Sequence, residues 1–283
     1  MKRVVKREVR VRNHGLICFL GSEFFSLEFE NNGRQLESIS LKSRIKKPKI
    51  GVLYMVSLES ENNMRFLRKN WRSAFIGVME IYKEILEIFK MPISKFVVDL
   101  NSVRNEYKSV IHWFNSPASH QPMVEVNGEK CSYEVYSWVL DNIKSSEDLR
   151  VFAEPRTFST KEARSITADK LFINFGGWID SSHLKLMESK RIIISNSTIT
   201  DEEINRFLHS LTTGSDPNLT FLVFEIYRDP NFFILMDGLD AIEIGNFEFS
   251  FKLNNGKRCR VSNVIYGEEE ELNLQGIEIQ IVL

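Results

Sequence analysis

The sequence predicts an α/β fold: a leucine-rich-repeat-like stack of strand-helix units with a mostly parallel sheet, flanked by an N-terminal antiparallel meander and a C-terminal antiparallel β cap. Three observations predict it. Apolar strand-like runs recur through the middle of the chain at steps of roughly 20 to 29 residues. Most intervals between them carry apolar residues at helical spacing, and both ends of the chain show short alternating runs separated by turn residues.

The meander is expected over residues 1–60. Leu16 to Leu20, Phe24 to Phe29, Leu36 to Leu41 and Val52 to Val56 are short apolar or alternating runs, and Gly15, Gly21-Ser22, Asn31-Asn32-Gly33 and Lys47-Pro48 separate them. A helix follows, because Trp71, Phe75, Val78, Met79, Tyr82, Ile85, Leu86 and Phe89 fall at offsets of three or four and form one stripe, with Pro92 marking its end. A second helix carries Val103, Tyr107, Val110, Ile111 and Phe114, capped by Asn101 or Ser102.

The repeat region is expected over 61–230. Its strands are Phe96 to Leu100, Met123 to Val126, Leu149 to Ala153, Leu171 to Phe175, Ile192 to Ser195 and Leu219 to Ile226. Helical stretches lie between several of them, with Val135, Val139 and Ile143 on one and Ile204, Phe207, Leu208 and Leu211 on another. Strand and helix alternating at this distance imply neighbouring parallel strands. The clearest unit runs from Ile192 to Ile204, where Thr200 and Glu203 make a capping box and Gly214 with Pro217 ends the helix. The unit before it, Leu171 to Asp180, echoes the pattern with Asp180 as the cap, and a tight strand-to-helix turn accounts for Gly176-Gly177.

A cap is expected over 231–283. Phe247, Phe249, Phe251 and Leu253 alternate, Asn254-Asn255-Gly256 supplies a turn, and Ile277, Ile279, Ile281 and Leu283 alternate again, a strand suited to covering the last edge of the repeat sheet. No linker composition interrupts the chain, so 1–283 reads as one continuous unit.

Composition narrows the function. At 283 residues the chain can bury a sizeable core without crosslinks. Cys18, Cys131 and Cys259 are odd in number and scattered, which fits free thiols in a reducing compartment and a cytoplasmic or nuclear location. With 37 Lys plus Arg against 38 Asp plus Glu, no overall attraction to nucleic acid or an anionic membrane is implied, and no apolar window is long enough to span a bilayer. The basic stretches at 1–12 and 42–49 and the acidic run Glu268 to Glu271 read as solvated segments.

His14, His112, His120, His183 and His209 show no metal-ligand spacing, and there is no phosphate-binding glycine motif or nucleophile elbow. The expectation is a non-enzymatic chain with no cofactor and no metal.

The string Ile192 to Leu208 followed by Gly214-Ser215-Asp216-Pro217-Asn218-Leu219 resembles the F-box-associated domain, type 2, of the nematode F-box protein family. Ser137 to Ile143, the Gly177-Trp178-Ile179 turn and the helix end Glu87-Ile88-Phe89-Lys90 are similar to that family as well. The resemblance implies a protein-binding module that selects the substrate of a cullin-RING (SCF) ubiquitin ligase. In such proteins an N-terminal F-box docks on the Skp adaptor. Only Lys2-Arg3-Val4-Val5-Lys6 stands where its last helix would end, so the expectation is that the Skp adaptor binds only if an F-box is supplied. The alternative is a freestanding interaction or scaffold protein that binds its target without ubiquitination.

Alternation assigns the residues beside inward Leu171, Ile173, Ile192 and Ile194 to an outward face. The expected protein-binding ladder is Asp99, Glu125, Arg150, Phe152, Phe172, Asn174, Ile193, Ser195 and Glu225. A competing reading covers these strands with the N-terminal meander, which makes Phe152, Phe172 and Ile193 ordinary core.

Overall fold

The alternating runs at the start of the chain fold as their pattern predicts, each turning back on the one before. The computed structural model describes residues 14–20, 24–31, 34–43, 54–60, 63–68, 74–89, 93–103, 105–116, 123–144, 147–157, 165–214, 218–266 and 274–282. Chain contacts divide the molecule into two units, Met1–Gly128 and Glu129–Leu283.

In the first unit β1 (His14–Leu20), β2 (Phe24–Asn31), β3 (Arg34–Ser43), β4 (Tyr54–Ser60) and β5 (Asn63–Arg68) pair antiparallel in succession. β5 is an addition to the expected meander, because Asn63 to Arg68 alternates too briefly to announce a strand. On its other edge β1 runs parallel to β6 (Ile93–Asp99), and β6 parallel to β7 (Met123–Asn127). Helix α1 (Ala74–Phe89) buries Phe75, Val78 and Tyr82, the stripe its spacing predicts. Trp71 and Pro92 lie outside the described residues.

Helix α2 (Tyr107–Phe114) starts later than expected. Its N-cap is Glu106, not Asn101 or Ser102. The Asp99 carboxylate instead accepts hydrogen bonds from the Asn101 amide (2.9 Å) and the Ser102 hydroxyl (2.7 Å). That local turn competes with the helix for the same backbone. Trp113 of α2 meets Phe75, Tyr82 and Phe96 edge to face at 5.7, 5.7 and 6.1 Å, closing an aromatic core.

The second unit holds the later strands of the expected stack, from Leu149 onward. β8 (Asp148–Val151), β10 (Lys170–Ile173), β12 (Arg191–Ser197) and β13 (Phe221–Ile226) lie side by side and parallel, in chain order. β17 (Leu274–Val282) pairs antiparallel with β13, and β16 (Arg258–Tyr266), β15 (Glu248–Lys252) and β14 (Ile242–Gly245) extend the sheet antiparallel. The final alternating strand therefore covers the last parallel edge, as expected. A separate short parallel pair joins β9 (Ile166–Thr167) to β11 (Met187–Glu188).

Helices α3 (Tyr133–Asn142), α4 (Ser181–Leu184), α5 (Asp201–Thr212) and α6 (Phe232–Leu235) complete the unit. α5 opens on the capping box: the Glu203 amide donates to Thr200 Oγ1 at 3.3 Å and the Thr200 amide to Glu203 Oε2 at 3.0 Å. Gly214 ends it at φ +88°, a conformation that costs a residue with a Cβ. Ile204, Phe207, Leu208 and Leu211 of α5 are buried, together with Leu149, Val151, Leu171, Ile173, Ile192, Ile194, Leu222 and Phe224 on alternate strand positions. Each such side chain contributes roughly 1.5–3 kcal/mol on burial, so the period-two and period-3.6 patterns together place the core on one face of this sheet.

Gly176 and Gly177 do lie in the expected tight turn, closed by the Ile179 amide donating to the Gly176 carbonyl at 3.0 Å, but left-handed flexibility is not what the turn requires of them. Neither has positive φ. A Cβ added at Gly176 would stand 2.1 Å from Ile194 Cγ2 and 3.0 Å from the Ser195 carbonyl, so the glycine is there to let two backbones approach, sealed by its amide donating to the Ser195 carbonyl at 2.9 Å.

Candidate functional site

Opposite the core, the parallel strands of the second unit present register-aligned rows. In the first row Asp148 stands beside Lys170, Lys170 beside Arg191, and Arg191 beside Phe221. In the second, Arg150 stands beside Phe172, Phe172 beside Ile193, and Ile193 beside Val223. Side chains two residues apart on a strand share a face, so the two rows share one side of the sheet, and because Val223 is only 2% exposed the open part of that side ends at Ile193.

The rows form a shallow open concavity of about 430 Å³, lined by Asp148, Arg150, Phe152, Lys170, Leu171, Phe172, Arg191 and Ile193. The Phe152 and Phe172 rings meet at 5.1 Å, tilted by 43°. Arg150 is committed within its own strand, with Nη2 3.1 Å from Asp148 Oδ2. The Arg191 guanidinium lies over the Phe221 ring, 4.6 Å from its centroid.

Four of the nine expected ladder residues converge here: Arg150, Phe152, Phe172 and Ile193. The three apolar ones are half-buried, between the bare ladder and the ordinary core that the sequence left as alternatives. Asn174 is half-buried, and its carbonyl accepts a hydrogen bond from Asn196 Nδ2 at 2.7 Å. Glu225 is half-buried on β13.

Ser195 departs from the expectation: it is 4% exposed. Asn196 sits at φ 51° and the β12–β13 register shifts between Ile194 and Ser197, so strict alternation stops before Ser195 counts as outward. Asp99 and Glu125 belong to the first unit. Asp99 is occupied by its turn, and Glu125 pairs with Lys95 at 2.7 Å and accepts from Asn127 Nδ2 at 3.0 Å.

Asp148, Lys170 and Arg191 escaped the sequence reading. The same alternation contains them, two positions before Arg150, Phe172 and Ile193. Each lies one residue before the first apolar residue of its run, where the parallel pairing already begins.

A second cluster looks chemical and proves structural. Asp180, Ser182 and His183 stand together at the start of α4, with His183 Nδ1 2.7 Å from Asp180 Oδ1. Ser182 Oγ donates to the same Asp180 oxygen, at 2.5 Å, and not to the histidine, so the nucleophile-to-base hydrogen bond of an acyl-transfer triad is missing from this group. Asp180 also accepts from the Ser182 and His183 amides at 2.8 and 3.1 Å, which makes it the N-cap that its position predicts. Burial alone would raise the Asp180 carboxyl, but the hydrogen bonds from Ser182 and His183 outweigh it and hold the group at about 2.

Among the described residues no group of three or more His, Cys, Asp and Glu could hold a metal ion, and no helix is long and apolar enough to cross a membrane. All three cysteines are buried and outside any disulfide.

No curated protein and no solved structure matches the chain. Residues 163–224, which contain β10, β12 and α5 and with them Lys170, Phe172, Arg191 and Ile193 of the groove, match the family model described as F-box associated, and the resemblance read from the sequence is shown for that segment.

Proposed function

We propose that the chain is a protein-recognition module, the substrate-selecting part of an F-box receptor of a cullin-RING (SCF) ubiquitin ligase, acting in the cytoplasm or nucleus and recruiting the Skp adaptor only through an F-box. One observation carries this reading: the F-box-associated segment supplies the central strands of a mixed apolar and cationic groove. Half-buried aromatics beside charged groups make the kind of surface that protein partners use. The finer architecture proposed is a leucine-rich-repeat-like stack. Its support is that β8, β10, β12 and β13 start at 148, 170, 191 and 221 and stay parallel neighbours throughout.

The test joins an F-box to the N-terminus of the full chain and follows partner capture and partner ubiquitination separately. Capture is expected to depend on the groove and not on the F-box, and ubiquitination on both. Phe172→Asp with Ile193→Asp removes the apolar floor, and Lys170→Glu with Arg191→Glu reverses two exposed charges in case the first pair fails to fold. A partner held equally by wild type and by a folded form of either variant overturns the assignment. Capture without any F-box-dependent ubiquitination points to a freestanding binder instead.

A further inference from the structure

We propose that the groove takes an extended, unmodified acidic peptide whose carboxylate side chain sits over Lys170 and Arg191 while the side chain two residues away, large and apolar, rests on Phe152, Phe172 and Ile193. This rests on the protein-recognition reading above and adds the chemistry of the partner.

The charge pattern asks for an anion. Lys170 and Arg191 are exposed and stand directly opposite each other on neighbouring parallel strands. Adjacent strands are about 4.8 Å apart, and like charges facing each other across a strand pair are destabilising. Among the described residues neither has an acidic partner within ion-pair distance. The contrast with their neighbours is informative: Lys190, one residue before Arg191, pairs with Asp169 at 3.0 Å, and Arg150 pairs with Asp148. Acids close by, Asp148 beside Lys170 among them, are thus taken up by other cations, and two cations remain at the mouth of an apolar groove, Arg191 lying over the Phe221 ring. A carboxylate between them relieves the repulsion and gains two charge-assisted hydrogen bonds.

The spacing sets the motif. Lys170 and Phe172 lie on one strand, as do Arg191 and Ile193, so the cationic and apolar rows are separated by two residues, roughly 6.6 Å at about 3.3 Å per residue. An extended peptide running along the strands repeats its side chains at that same interval. Its matching pattern is therefore acid, any residue, large apolar residue, with both named side chains on one face. The apolar side of the groove offers two aromatic rings and a branched aliphatic side chain, Phe152, Phe172 and Ile193, as the surface against which a large apolar side chain would pack.

The test is selection of a random dodecamer peptide-display library on the purified full chain, followed by fluorescence anisotropy with labelled synthetic peptides from the enriched pool. Enrichment of Asp or Glu two positions from Phe, Leu, Ile or Trp is expected. Lys170→Glu with Arg191→Glu should weaken those peptides on the order of tenfold, since two exposed ion pairs are each worth about two- to fivefold. The same variant should come to favour Lys or Arg at the acidic position. Enrichment of peptides without an acid, lost on Phe172→Asp with Ile193→Asp, overturns the acidic motif while leaving the groove as the recognition face. Peptides that bind all variants equally overturn both. An enriched sequence that binds only when phosphorylated overturns the proposal of a carboxylate, and failure to enrich any peptide overturns that of an extended linear ligand.

Discussion

Replacing Gly176 by alanine should destabilise the second unit far more than the same change at Gly177, although the two glycines are adjacent and both lie in the F-box-associated segment. At Gly176 the new methyl would lie 2.1 Å from Ile194 Cγ2, where ordinary contact is 3.4–4 Å, so something must retreat by more than an ångström. The obstruction is a branch of a fully buried β-branched side chain, not the loose end of a flexible one. Ile194 is also fixed in a strand with β10 on one side and β13 on the other. Overpacking of this kind costs about 2–3 kcal/mol, a large share of the roughly 5–15 kcal/mol that holds a domain folded. At Gly177 the nearest atom is Thr198 Cγ2 at 3.5 Å and φ is not positive, so Gly177→Ala should be neutral or gain about 0.5 kcal/mol from a stiffer unfolded chain. Equilibrium urea unfolding of both variants measures the difference. Ile194→Ala removes the clashing carbon and itself costs roughly 2–5 kcal/mol. In that background Gly176→Ala should cost at least 1 kcal/mol less than in the wild type, a coupling that a double-mutant cycle resolves. Equal effects at the two glycines, or strict additivity with Ile194→Ala, would refute the close-approach argument.

Three further outcomes are expected. Asp201 is 7% exposed, pairs with Arg228 Nη1 at 2.7 Å and accepts from the Asn231 amide at 3.0 Å. Asp201→Ala should therefore lower stability by about 2–3 kcal/mol in urea unfolding, less than a fully buried pair because the Arg228 side chain keeps contact with water. Asp180 titrates at about 2 when folded against a usual 3.8, so its contribution is complete above pH 4 and is lost as pH falls toward 2. The 1.8-unit difference sets a ceiling near 2.4 kcal/mol, and with 31% of the side chain exposed about 1 kcal/mol is a fairer value. The deficit of Asp180→Asn should be present at pH 6 and mostly lost by pH 2, where the folded carboxyl is half protonated, and a deficit unchanged between the two is the contrary result. Finally, burial raises the Cys259 thiol to about 12 and the Cys18 thiol still higher, so a disulfide reagent at pH 8 should label neither before unfolding. Rapid labelling of the native protein at Cys259 would contradict the burial.

What the sequence made legible follows from what period can encode. Regular alternation placed Leu171, Ile173, Ile192 and Ile194 inward, and helical spacing placed Ile204, Phe207, Leu208 and Leu211 on one buried face, because every residue in those stretches obeys its local period. Capping was legible for the same reason: Thr200 with Glu203, and Asp180 with the amides that follow it, close their bonds within three residues. The expected cap of α2 was lost to a competing local turn at Asp99, whereas the failure at Ser195 sits where a distant contact overrides the local rule. Ser195 looks outward by count, but Asn196 turns into the left-handed region and reaches across to the Asn174 carbonyl. No pattern in 191–197 contains that information.

Lys170 and Arg191 are a different kind of omission. Their placement was implied by the alternation already in use, yet their meaning depends on register, since only when Lys170 falls opposite Arg191 do two ordinary solvated cations become a repelling pair. Register in a parallel stack is fixed by where each strand enters after its helix, and so by the whole repeat at once. A candidate binding face in such a fold is therefore best sought in the first polar position of each successive strand, where the register that the buried Leu171, Ile173, Ile192 and Ile194 impose decides which charges stand side by side.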